Sequence, residues 1–407
     1  MGGEKPEASN REREFRFTLG AGLFSNSLWD MLSVLVPLHA TAVGLSVAEI
    51  GFVVAARSVL PTILSIHGGI VMDQLGIRRV LLCVAVACTA LPLLYPASGW
   101  FVMLCVLQLL LGLASSLCMA AAQTWSLEVT LGDTAMLARY SIGTRIGTFL
   151  GPVIVGAAWD LFGAWAAFAC ISLSGAGIVA AAVVAIPGGR QPAAPPLQGP
   201  AALRALVPRW ADHRDALALA AIPAVAVVLA ASFLRNAPGS IQASLYVVYL
   251  DGIGLTGTVI GALVAGCELF GVFGSMMAAP LEKVMRQDLL MLAAIAASIA
   301  AIAVTPLVGG FLVLLALAAI VRGIAQGVSQ PLMYSILGRA STRHGASVGL
   351  RTAVVRLASI VTPAAMGVAA ESWGIEVSFY VVGGVLLLAS AALAFAAHRL
   401  KPVTADD

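Results

Sequence analysis

Charge is scarce in this chain: Asp, Glu, Lys and Arg together make up 11% of its 407 residues, against about 25% in an ordinary soluble domain. The 23 basic residues are dispersed along the whole length, so no basic domain exists for nucleic acid to bind. Histidine is rarer still. His39, His67, His213, His344 and His398 lie far apart and mostly near the ends of apolar runs, which leaves no nucleophile–base constellation, and neither catalysis nor a cofactor is expected. The six cysteines, Cys83, Cys88, Cys105, Cys118, Cys170 and Cys267, show neither metal-ligand spacing nor a disulfide framework, so no metal is expected. No glycine-rich loop runs into Lys and Ser/Thr, which argues against direct ATP coupling.

What the chain has in abundance is apolar length. Hydrophobic residues account for 60% of it and the mean hydropathy is +0.97. Apolar runs of about 20 residues, each enough to cross roughly 30 Å of hydrocarbon as a helix, predict twelve spans: 17–43, 47–68, 79–96, 99–123, 138–159, 164–186, 217–249, 257–279, 289–307, 311–337, 350–370 and 377–397. Backbone groups in lipid must be satisfied internally, and runs of this length read as helices rather than barrel strands. The expected class is an all-α integral membrane protein. The first apolar run is too long for a signal peptide and is expected to be retained.

An even number of spans puts both termini on one side. Every Lys and Arg falls in the tails, the even-numbered loops or the spans, while the six odd-numbered loops carry only acids such as Glu49, Asp160, Asp251, Glu371 and Glu376. By the positive-inside rule both termini are cytoplasmic, in what is expected to be a bacterial inner membrane.

One long polar stretch, rich in proline and alanine, interrupts the pattern after the sixth span and reads as a linker. The expected organisation is a tail (1–16), a six-helix bundle (17–186), a cytoplasmic linker (187–215), a second six-helix bundle (216–397) and a short tail (398–407). The bundles repeat one another. "RIGTFLGPVIVGAAWDLFGAWAAF" from Arg145 aligns with "RLASIVTPAAMGVAAESWGIEVSF" from Arg356, pairing Pro152 with Pro363, Gly156 with Gly367 and Asp160 with Glu371 at one offset of 211 residues. "GLSVAEIG" from Gly44 faces "GLTGTVIG" from Gly254 at 210, and Gly112 faces Gly323 at 211. A common register across three regions predicts two pseudo-symmetric bundles.

Between spans two and three, "GGIVMDQLGIRRV" concentrates glycine and charge. Gly69, Asp73, Gly76, Arg78 and Arg79 fit Gly-x-x-x-Asp-x-x-Gly-x-basic-basic, which resembles the signature of the major facilitator superfamily, with Gln74 and Ile77 standing where basic residues are more usual. The resemblance covers essentially the whole chain. It implies that this loop latches one bundle to the other in the outward-open state, Asp73 meeting the end of span eleven near Arg351 and Arg356. "GTRIGTFLGPVIVG" in span five, with Gly151 and Pro152, and "WDMLSVLVPLHA" in span one further resemble the superfamily's drug/proton antiporters, although a double glycine would be usual where Pro-x-x-x-Gly stands. On the residues alone, a topology-fixing basic turn stands as the alternative for the loop, and a packing proline as the alternative for Pro152.

Ionisable groups inside the spans are costly and normally face a cavity or a partner. Asp30, Arg57, Arg235, Glu268 and Arg322 all come out at roughly 16 to 21 Å from the acid-bearing ends, at 1.5 Å per residue. At these depths Asp30 could pair with Arg57, and Arg235 with Glu268, within their own bundles, leaving Arg322 without an obvious carboxylate. Permanent packing pairs and a proton or substrate site are both open at this point. Polar stripes at helical spacing favour a lined cavity: Asn26 and Asp30 in span one, Gln123 in span four, Arg235 and Gln242 in span seven, and Arg322, Gln326, Gln330 and Tyr334 in span ten. The resemblance implies that these four spans line the cavity.

The function expected is secondary transport of a small organic molecule by alternating access, as proton-coupled efflux, with Asp30, Arg57 and Glu268 in proton coupling and Trp29 offering an aromatic contact. Two alternatives stand beside it: an organic-anion uniporter or symporter clamping a carboxylate with Arg322 and Arg235, and a receptor that binds without transporting. The expected partners are the substrate, protons and the lipid bilayer, and a monomer is expected.

Overall fold

In the computed structural model, residues 4–131, 133–184, 223–340 and 344–399 are described; the 187–215 linker and the C-terminal tail lie outside them. Among the described residues twelve long helices follow one another, with a short helical turn at Thr305–Val308 besides: α1 (Glu4–Ala42), α2 (Val47–Leu75), α3 (Ile77–Ala90, prolonged by a 3-10 turn at Leu91–Leu94) and α4 (Phe101–Thr130). The helical stretch Thr134–Val184 is broken at Gly163, where φ is +78°, into α5 (134–162) and α6 (164–184). The second bundle comprises α7 (Pro223–Ile241, carried on through a π-turn at Gln242–Tyr246 to Gly252), α8 (Gly257–Leu281), α9 (Gln287–Ala303), α10 (Leu312–Ala340), α11 (His344–Trp373) and α12 (Ile375–Arg399). Among the described residues nine stretches are long and apolar enough to cross a membrane unaided; α5 and α6 count as one of these, while the π-turn interrupts α7 and α9 is short.

Several helices overrun their apolar runs. Helix α1 starts at Glu4 rather than near residue 17, and α5 and α11 start at 134 and 344. Charged residues propagate a helix readily in water, so the hydropathy boundary marks the hydrocarbon edge, not the helix end. The extension has a use: Arg11 donates from Nε to the Val129 carbonyl at 2.8 Å and from Nη2 to the Thr130 carbonyl, closing the C-terminus of α4.

The repeat read from sequence is present in hydrogen bonds. In the α1–α2 turn, Gly44 N–H donates to the Thr41 carbonyl and Leu45 N–H to that of Ala40; in the α7–α8 turn, Gly254 donates to Asp251 and Leu255 to Leu250. Gly44 and Gly254 adopt φ of +82° and +86°, a left-handed conformation strained for residues with a Cβ, which is why both turns carry glycine. Each bundle has its own apolar core, and the cores interleave where Val34 and Leu38 of α1 join the second and Val248 joins the first, with Val47 and Trp159 packed against the second and Ile375 against the first.

The turns at Gly44, Gly163, Gly254 and Gly374 share one face of the bundle, called here the far face, opposite the start of α1. There α5 packs on α8 and α2 on α11. The approach is close: a Cβ at Gly261 would run into the Pro152 carbonyl oxygen, and one at Gly51 into that of Pro363. Pro152 thus stands at the inter-bundle crossing, whereas Gly151 packs α5 on Ser27 of α1. Among the described residues, hydrogen bonds between bundles lie at this face, through Asp160 and Glu371, and in the interior, through Arg356. The far face is closed.

Candidate functional site

The interior between the bundles is rich in arginine and poor in partners for it. Arg57 of α2 is buried, donates to the Trp29 carbonyl at 3.1 Å and lies over the Trp29 ring at 3.9 Å. The Trp29 contact offered by the sequence is therefore made to Arg57. Asp30, half-buried on α1, does not form the ion pair with Arg57; the indole face and carbonyl hold the guanidinium instead. Arg235 does not pair with Glu268 either. It binds α10 through Ser329 Oγ at 3.1 Å, the Gln326 carbonyl at 3.0 Å and Gln330 Oε1 at 3.1 Å. A neighbouring helix offered three oxygens in the fork geometry a guanidinium prefers, and Glu268 was left facing open space.

That space is a niche of about 40 Å³, lined by Arg145, Arg235, Glu268, Gln326 and Gln330 among others. Glu268 interacts electrostatically with Arg145, Arg322 and Arg235, and across the bundles with Asp30. Arg322 is 1% exposed, the largest fully buried side chain described. Its Nε donates to Cys267 Sγ at 3.4 Å and it stands over the Tyr246 ring at 4.9 Å, but its Nη2 has no partner in the protein. Gln326 Nε2 and Arg356 Nε are likewise buried without partners. A buried donor left unmade costs about 1–3 kcal/mol, more when charged, and of these three Gln326 lines the niche.

Arg145 escaped the sequence reading of the site. Arg145 stood out only as the repeat partner of Arg356, because it lies on the tail side of the layer sought by counting from the far face. Asn236, also missed, donates to the Val355 carbonyl and to Ser240 and Ser359, fastening α7 to α11. Arg356 reaches across the bundles to Ser116 Oγ at 2.7 Å. A second, uncharged cleft of about 290 Å³ is lined by Asn26, Met119, Gln123, Tyr140 and Thr144 among others. Gln242 is buried in the π-turn of α7, and Tyr334 is 45% exposed on α10.

The residues expected to gate divide. Gly76 makes the α2–α3 turn with φ of +86°. Arg78 donates to the Ala182 and Val183 carbonyls at 3.0 and 3.1 Å and so closes the C-terminus of α6 within its own bundle, while Arg79 is exposed. Arg351 donates to Met333 Sδ and Tyr334 OH and stacks on that ring at 4.4 Å. The side chains of Gly69 and Asp73 lie outside the described residues. Among the described residues no group of three His, Cys, Asp or Glu could hold a metal.

Compared with known proteins, the chain is matched by the family model of the Major Facilitator Superfamily over residues 18–239 and 227–406. No curated protein matches it in sequence. Among solved structures it is similar to the nucleoside transporter NupG (TM-score 0.75, 13% identity, 95% of this chain and 100% of that one). It is also similar to a bacterial homolog of the human lysosomal transporter Spinster in an inward-facing, unoccupied conformation (0.74, 12%, 96% and 99%) and to the peptide transporter POT in complex with sulfate (0.72, 15%, 95% and 94%). At these identities the likeness is one of fold.

Proposed function

The chain belongs to the major facilitator superfamily of non-enzymatic secondary transporters of small molecules, and from that premise we propose that it carries a small organic anion together with a proton by alternating access. The observation that carries this is a niche lined by Arg145, Arg235 and the unpartnered Gln326 amide, with the buried Arg322, whose Nη2 is also unpartnered, interacting electrostatically with Glu268 of the same niche. A carboxylate or phosphate brings the acceptors these groups lack. Glu268 shares the niche, so an anion and an ionised Glu268 repel; protonation of Glu268 removes the repulsion and binds proton and substrate into one event. Asp30, within reach of its charge, is the second proton site. An anion between Arg145 of one bundle and Arg235 of the other draws the tail sides together, which biases the halves toward opening the far face.

The excess of Arg and Lys on the tail face supports a cytoplasmic location for both termini by the positive-inside rule. Gly151, Pro152, the Gly76 turn with Asp73 and Arg79, and Arg351 belong to the parts that move. A second reading, proton-coupled efflux of a partly apolar molecule with Asp30 as the coupling group, is favoured by the uncharged cleft at Asn26 and Gln123.

Reconstituted vesicles loaded with a pH-sensitive dye separate the two. Addition of small carboxylates and organic phosphates should move protons in the same direction as the anion. Glu268→Gln should keep binding and lose its dependence on the pH gradient. Proton movement opposite to substrate, abolished by Asp30→Asn and indifferent to Arg322→Ala, would establish the efflux reading instead.

A further inference from the structure

Two contacts close the far face, and they are copies of one another that differ in strength. Asp160, at the end of α5, accepts from the backbone N–H of Gly257 at 2.8 Å, from that of Thr258 at 2.7 Å and from the Thr258 hydroxyl at 2.5 Å. Its carboxylate therefore caps the first turn of α8 from the other bundle. Glu371, 211 residues later and at the end of α11, faces the first turn of α2 but accepts a single long bond, from Ala48 N–H at 3.4 Å.

The reason for the inequality is one residue in each helix start. Helix α2 opens with a capping box: Ser46 Oγ accepts from Glu49 N–H at 3.3 Å and Glu49 Oε2 accepts from Ser46 N–H at 2.8 Å. Its N-terminus already holds a carboxylate, and Glu371 adds little to it. Helix α8 has Thr256 in the place of Ser46, but Val259 in the place of Glu49. Thr256 accepts only a 3.4 Å bond from Val259 N–H, so the helix start lacks an acid of its own and takes one from α5.

We propose that Asp160 is the positioning residue that sets opening of the far face, and that the gate opens unequally: the α2–α11 edge yields first and the α5–α8 edge, held by Asp160, yields last. The transport cycle is then governed at this face by a capping carboxylate borrowed between bundles, not by a symmetric pair.

The test reads conformation, not transport, and is independent of the substrate. Spin labels at Phe162→Cys on α5 and Ile253→Cys in the turn before α8 report on the α5–α8 edge, and labels at Ala42→Cys, at the end of α1 before the α2 turn, and Trp373→Cys on α11 report on the α2–α11 edge, in the full chain with Cys83→Ser. Asp160→Asn should raise the open-to-closed ratio at the α5–α8 edge about fivefold, the usual worth of a lost cap, and Glu371→Gln should leave that edge unchanged. Val259→Glu, which completes a capping box on α8, should shrink the effect of Asp160→Asn to less than half. That rescue is the readout a loss of folding would not produce. Equal shifts from the two acid substitutions, a larger shift from Glu371→Gln, or no rescue by Val259→Glu overturns the proposal.

Discussion

Arg356 of α11 donates to Ser116 of α4 at 2.7 Å, leaving its own bundle to do so. Its repeat partner Arg145, on α5, leaves its bundle in the opposite direction and enters the niche beside Glu268. The two bundles have therefore exchanged arginines. Each bundle's interior is completed by a cation from the other, so any rocking motion that parts the tail sides also changes the charge around Glu268. That is a direct physical link between the protonation of one carboxylate and the relative position of the halves.

Arg322→Met should stabilise the protein and disable it at once. The guanidinium is buried with an unpartnered Nη2 and a thiol as its best acceptor, and replacing an imperfectly paired buried charge by an apolar side chain of similar length is often neutral or stabilising. A thermal unfolding scan in detergent should show an unchanged or raised midpoint. Anion binding by the same sample should weaken by about 10- to 100-fold, the worth of a hydrogen bond from a charged donor. A lowered midpoint with binding intact would mean that Arg322 is a packing residue.

Arg78→Ala should lower thermal stability modestly and leave the far-face distances unchanged, because Arg78 closes the end of α6 in its own bundle. A cation at a helix C-terminus contributes about 0.3–1 kcal/mol. Arg79→Ala, an exposed neighbour, is the control and should do less.

The sequence carried the bundle architecture because glycine, proline and acid positions recur at a fixed offset, and those residues fix turns and crossings wherever they stand. Gly44 and Gly254, or Asp160 and Glu371, needed no side-chain geometry to be matched. The latch asymmetry was also present in the letters, as Ser-x-x-Glu at 46–49 against Thr-x-x-Val at 256–259. What was not legible is where a long cation points. Arg57 could be placed at the depth of Asp30, but its choice of the Trp29 face and carbonyl over the carboxylate depends on rotamers and on the groove that Gly112 leaves at the Arg57 backbone. Arg78 belongs to a motif that resembles a gate, and its visible bonds close a helix; motif membership fixed its position in the loop and not its partners.

Gly261→Leu should favour far-face opening. The glycine stands against the Pro152 carbonyl, which is backbone and cannot swing aside, so α5 and α8 must separate to admit a side chain. The α5–α8 label pair should report a longer mean distance. Gly239→Ala provides the contrast: its nearest foreign atom, Gln326 Nε2, is 3.8 Å from the added Cβ, and that substitution should leave the distance unchanged.

The Asp160 contact also fixes a pH dependence with a definite sign. Burial would raise the Asp160 carboxyl, but the bonds from the Thr258 hydroxyl and from the Thr258 and Gly257 N–H groups prevail and hold it below the usual aspartate range. A depressed carboxylate contributes its full share of closure above the ordinary aspartate value of about 3.9, and loses it as pH falls through the lower value it has when capped. Asp251, the facing acid at the end of α7, is pushed up by burial and by the Asp160 charge, so its ionisation as pH rises works mildly against closure. Between pH 6 and 8 the latch should thus be constant. The share of the α5–α8 distance response that belongs to Asp160 should appear only in strongly acid buffer, and Asp160→Asn should abolish that share. If the distance instead changed through pH 6 to 8 in the Asp160→Asn protein as it does in the unaltered chain, the pH sensor of the far face would have to be sought among the interior carboxylates, Asp30 and Glu268.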